Sequence, residues 1–124
     1  MDVVRGEGRR VVWVGEPNVG NPKIQAAVTT INKVAREEAA RRDWVSYFDL
    51  AKVVAGPGGG FADYVTFGDG DTVKCYAGDG VHLSMQCLDR AMDKFLPSIV
   101  RMYAPSGRLP TTSTTTSTVV PPSG

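Results

Sequence analysis

Two short apolar runs separated by one long amphipathic segment constrain this chain more than any other feature. Arg10-Val11-Val12-Trp13-Val14-Gly15 is continuous and rich in β-branched residues, the pattern of a strand buried on both faces of a parallel sheet. Gly15-Glu16-Pro17-Asn18 breaks it. Asn21 is then a good N-cap and Pro22 suits the first helical position. Ile24, Ala27, Val28, Ile31, Val34 and Ala35 fall on one stripe, with Lys33, Arg36, Glu37 and Arg41 on the polar side, so a helix is expected to about Arg42. Trp44-Val45-Ser46-Tyr47-Phe48-Asp49 reads as a second strand. Strand, helix and strand at this spacing make a βαβ unit, with parallel strands and a right-handed crossover. The fold class is therefore α/β.

Downstream the signals weaken. Leu50 to Gly78 is Gly-rich and reads as irregular, with one short extended piece at Asp71 to Tyr76. A last helix is expected from Ser84 to Tyr103, with Met85, Leu88, Met92, Phe95, Ile99 and Met102 as its core stripe. Pro97 falls inside it and is expected to kink or interrupt it. Thr111 to Thr118 is unbroken Ser/Thr, followed by Val119-Val120-Pro121-Pro122-Ser123-Gly124. Such a tract has too little apolar surface to offset its ordering entropy and reads as a disordered tail over 105–124.

Composition excludes several partners. A net charge of +1 leaves no electrostatic footprint for nucleic acid or for an anionic membrane surface. No apolar run approaches the roughly 20 residues of a membrane span, and residues 1–10 lack the apolar core of a signal peptide. Gly56-Pro57-Gly58-Gly59-Gly60 is followed by no Lys-Ser/Thr, so it is no P-loop. Gly68-Asp69-Gly70-Asp71 lacks the downstream glutamate of a calcium loop. No Cys/His cluster has zinc spacing, and no cofactor or metal is expected.

The chemistry concentrates in Gly78-Asp79-Gly80-Val81-His82-Leu83-Ser84. His82 is the chain's only histidine. An Asp three residues ahead of it, on a glycine turn before a helix that Ser84 can cap, can form two-thirds of a catalytic triad. The carboxylate would accept from Nδ1–H, fix the tautomer and stabilise the imidazolium formed when Nε2 takes a nucleophile's proton. A surface or helix-capping histidine is the plainer alternative, and a metal site at Asp79 and His82 is a weak third reading because two ligands rarely suffice.

Together these segments resemble the C-terminal half of an SGNH (GDSL-type) hydrolase, especially the bacterial exported branch. Val11-Val12-Trp13-Val14-Gly15-Glu16-Pro17 is similar to that family's fourth strand and its following proline. Trp44 to Leu50 resembles the fifth strand, and Asp79-Gly80-Val81-His82-Leu83-Ser84 the block that supplies the triad Asp and His. The resemblance implies a partial three-layer α/β/α, flavodoxin-like fold. Residues 1–9 would be the remnant of a preceding helix, 10–104 the hydrolase segment and 105–124 the tail. It also implies an ester hydrolase acting on small acyl esters, O-acetylated carbohydrate among them, with Asp79 and His82 catalytic.

The departures from the family are equally specific. Its nucleophilic serine sits in a Gly-Asp-Ser block, and no Gly-Asp-Ser occurs here. Its oxyanion-hole glycine and asparagine precede the fourth strand, where this chain has no room for them. The expected chain is thus truncated and silent alone, or a non-catalytic interaction module. Its Val11–Val14 strand edge is then left open to self-association. Where the family often has an arginine before the Asp-x-x-His block and a glycine after it, this chain has its only cysteines, Cys75 and Cys87. They either close a small loop around the turn, implying an oxidising extracellular or cell-envelope setting, or remain two buried thiols.

Overall fold

The computed structural model describes residues 1–103, so the Ser/Thr-rich tail lies outside the described residues. The central unit is a βαβ motif. Strand β1 (Val11–Val14) pairs in parallel with β2 (Val45–Phe48), Val11 opposite Val45 and Val14 opposite Phe48. Helix α1 (Pro22–Ala40) forms the crossover. It starts where Asn21 Oδ1 accepts from the backbone N–H of Lys23 (3.0 Å) and Ile24 (3.4 Å), with Pro22 in the first turn.

A buried asparagine fixes the turn leaving β1. Asn32, on α1, accepts from Glu16 N–H and donates to Glu16 C=O, both at 2.8 Å, so its amide completes the backbone of the turn as a neighbouring strand would. Gly15 leaves no space for a side chain: a Cβ there would stand 2.8 Å from Tyr47 Cζ and closer still to its hydroxyl.

Helix α2 (Leu50–Val53) is one turn capped by Asp49, whose Oδ1 accepts from Lys52 N–H and whose Oδ2 meets Arg36 at 2.7 Å. The Gly-rich stretch after it is irregular through Asp63, as expected, and the extended piece expected within Asp71 to Tyr76 is there. That piece belongs to an antiparallel hairpin, β3 (Tyr64–Thr66) with β4 (Thr72–Lys74), so the expectation of a single extended piece is corrected. The turn is clipped to helix α3 (Met85–Tyr103) by Arg90, which bonds both Asp69 and Asp71. The main core lies under this hairpin: Val54, Val65, Cys75, Tyr76, Cys87 and Ala91 are buried together, with Phe61, Phe67 and Leu83 packed against them.

Both helical stripes differ from expectation, and in the same way. On α1 the buried residues are Val28, Asn32, Ala35 and Ala39, while Ile24, Ala27, Ile31 and Val34 are exposed. On α3 Cys87 and Ala91 are buried and Phe95 meets Phe48 edge-on at 5.0 Å, but Met85, Leu88 and Met92 are exposed. Each helix was patterned to cover more surface than the described residues provide. Pro97 does not interrupt α3. It and Asp93, whose carbonyl loses its helical N–H partner, both face solvent, where water can replace the missing bond.

The sheet has an open side. Val11 N–H donates to Trp44 C=O (3.0 Å) and Gly15 N–H to Phe48 C=O (2.9 Å), so by strand alternation Val12 and Val14 turn their peptide groups outward. Among the described residues no strand lies against that side. Trp13 and Val14 are 40% and 42% exposed. With Ile31, Val34 and Met1, Trp13 lines an apolar groove of about 380 Å³.

Candidate functional site

Tyr76 to Ser84 is a tight excursion between β4 and α3. Ala77 N–H donates to His82 C=O at 2.8 Å and Gly80 N–H to Ala77 C=O at 3.0 Å, closing the loop on itself. Gly80 has φ of +65°, the left-handed conformation that glycine adopts without cost, which accounts for the Asp-Gly pair. Ser84 ends the excursion as expected: Ser84 Oγ accepts from Cys87 N–H (3.2 Å), capping α3, and donates to Lys74 C=O (2.7 Å).

Within that frame the structure brings Asp79 and His82 together. Asp79 Oδ1 accepts from the backbone N–H of Val81 (2.9 Å) and His82 (3.1 Å). Asp79 Oδ2 lies 2.5 Å from His82 Nδ1. An ionised carboxylate only accepts, so Nδ1 carries the proton and Nε2 is the free, basic nitrogen. The His82 side chain is 80% exposed and that of Asp79 49%. The pair therefore sits at the surface.

The His82 bond, then the two backbone N–H groups, hold the Asp79 carboxyl well below the usual carboxylate range. A depressed folded value means that its contribution to stability is complete above the unfolded value of about 3.9, fades progressively as pH falls below it, and is lost once pH passes the lower folded one. Asp79 is thus expected to remain ionised at about pH 3, where an unperturbed aspartate is mostly protonated. The ¹³Cγ shift followed from pH 6 to 2 checks this, and a midpoint near 4 would contradict it.

Cys75 and Cys87 are joined in a disulfide, with Cα atoms 4.8 Å apart. Both are fully buried beneath the turn. In the chain-entropy picture a loop this short is stabilised by roughly 2–3 kcal/mol. Its larger effect here is to fasten the end of β4 to the first turn of α3, on either side of the dyad.

No described serine completes the pair. Ser84 is committed to capping, Ser98 Oγ bonds Lys94 C=O at 3.4 Å within α3, and Ser46 lies in β2. Among the described residues no group of three or more His, Cys, Asp and Glu side chains gathers as a metal site would need. Nor is any described helix long and apolar enough to cross a membrane.

Sequence reasoning missed the turn's support. Gly20 N–H donates to Gly80 C=O at 2.8 Å, and the Phe61 ring packs against both glycines. An aromatic residue just after Gly56–Gly60 was the available signal.

A family model described as a protein of unknown function, DUF459, matches residues 1–98, and the chain belongs to that family. No curated protein matches it.

Proposed function

We propose that this DUF459 member carries the acid–base half of an SGNH-type ester hydrolase site acting on small acyl esters, with O-acetylated carbohydrate the first class to test. The observation that carries the reading is the 2.5 Å contact of Asp79 Oδ2 with His82 Nδ1 on a turn that leaves the His82 side chain exposed. His82 Nε2 takes the proton of a serine hydroxyl as the serine oxygen bonds to the acyl carbon. It then gives that proton to the departing alcohol, and in the second half it activates water against the acyl-enzyme. Asp79 holds the tautomer and balances the imidazolium charge. The reading requires a serine and oxyanion donors that the described residues do not supply. The buried disulfide supports an extracellular or cell-envelope setting.

A second reading is a non-catalytic interaction module of the same fold. The open β1 edge and the exposed apolar flank of α1 favour it.

The two readings separate experimentally. The 124-residue chain is expected to take no label from a fluorophosphonate probe, since Ser46, Ser84 and Ser98, the serines among the described residues, show no activating base. A coding sequence extended upstream to include a Gly-Asp-Ser block should be labelled and should hydrolyse p-nitrophenyl acetate. Labelling of the short chain would overturn the proposed division of the site. Absence of activity in an extended chain that contains the block would favour the interaction module.

A further inference from the structure

We infer that Phe61 is a positioning residue for the Asp79–His82 pair, acting through Gly20 and Gly80. The inference deepens the catalytic reading above, although its test needs no turnover.

Three segments meet at this point. The loop after β1 approaches through Gly20, whose N–H donates to Gly80 C=O at 2.8 Å. Phe61, just past the Gly56–Gly60 stretch, fills the hollow that both glycines leave. A Cβ on Gly20 would stand 3.0 Å from Phe61 Cζ and 3.1 Å from Cε1, and one on Gly80 3.4 Å from Cζ and 3.7 Å from Gly20 Cα. The far side of the ring is braced by Tyr76, with centroids 4.7 Å apart. Tyr76 is itself fixed in the core and bridged to Leu83.

The consequence is geometric. Gly80 is the one left-handed residue of the turn and lies between Asp79 and His82. Its peptide plane determines whether Asp79 Oδ1 can reach the N–H groups of Val81 and His82 while Oδ2 meets Nδ1. Phe61 presses on that plane from below, and Gly20 holds its carbonyl. The disulfide anchors both ends of the excursion but touches neither glycine, so the ring supplies a constraint that the covalent bond does not. Apolar packing is suited to this: an aromatic face resists displacement without competing for the carboxylate's hydrogen bonds.

The test uses the single imidazole, which gives unambiguous ¹⁵N signals. In a chain changed only by Val12→Pro, so that the open β1 edge does not pair, the neutral ring should be held in the Nδ1–H tautomer. Phe61→Ala is expected to give a mixture of tautomers. It should also accelerate exchange of the Gly20, Val81 and His82 amides by about tenfold or more, while core amides such as Val65 change little. Phe61→Leu, which keeps apolar volume and folds more safely, should give an intermediate shift, and Phe61→Tyr should restore the signature. Retention of the Nδ1–H tautomer in well-folded Phe61→Ala would overturn the inference. So would loss of protection that is equal at Val65 and His82, which marks general loosening. If the tautomer responds to Phe61 but an extended chain carrying the serine block shows no esterase activity, this inference stands and the catalytic reading fails.

Discussion

In a protein completed by its serine block, Asp79→Asn is expected to lower kcat by about 10³–10⁴-fold, the range for a triad carboxylate replaced by its amide. The argument lies in atoms rather than in charge alone. The two backbone N–H groups of Val81 and His82 occupy one oxygen of residue 79 and would retain the amide oxygen there. That leaves the amide NH₂ facing His82 Nδ1 at the position where Oδ2 now stands 2.5 Å away. Two donors cannot share that contact. The ring answers by moving its proton to Nε2, the nitrogen that must accept from serine, so the base is lost while the fold is kept. Steady-state hydrolysis of p-nitrophenyl acetate measures the effect, and ¹⁵N spectra should show the tautomer reversed. A loss below about tenfold would mean that Asp79 does not orient the catalytic ring.

The second large effect concerns association. The 124-residue chain alone is expected not to persist as a stable monomer at micromolar concentration. Val12 and Val14 turn unpaired peptide groups outward, and Trp13, Ile31 and Val34 flank them as exposed apolar surface. Burying a Val or Leu side chain contributes roughly 1.5–3 kcal/mol, so several left half-covered are comparable with a net stability of about 5–15 kcal/mol. The edge should pair with a second copy or nucleate aggregation. Val12→Pro removes an outward N–H and is tolerated on an edge strand. It should shift dissociation toward monomer by about tenfold or more, read by sedimentation velocity, since an edge proline blocks strand addition. An extended protein that covers β1 should show no such concentration dependence. A cooperative, concentration-independent unfolding transition of the short monomer would show this expectation wrong.

What the sequence reveals follows the range of the forces involved. The βαβ unit is legible because strand runs and the Asn21-Pro22 start are local signals, and the dyad because Asp79 and His82 are neighbours on one turn. Only the second strand of the hairpin was legible, and its pairing with β3 was not. The hairpin's strands are three residues each, and its placement depends on Arg90 and the Cys75–Cys87 bond, partners on a different element. The helical stripes were read too broadly, because periodicity reports every apolar residue meant for burial and not which neighbour is present. Phe61 escaped notice for a related reason: its glycine partners lie far away in the chain on both sides, and glycines show no pattern.

The covalent link between Cys75 and Cys87 turns the segment carrying Asp79 and His82 into a closed ring, and a ring does not fray from its ends. The loop after β1 still reaches the turn through the Gly20 N–H to Gly80 C=O bond, so the ring limits fraying without uncoupling the turn from the sheet. Under the proposed esterase reading, the turn would already hold the Asp79–His82 contact before a segment carrying the nucleophile docks.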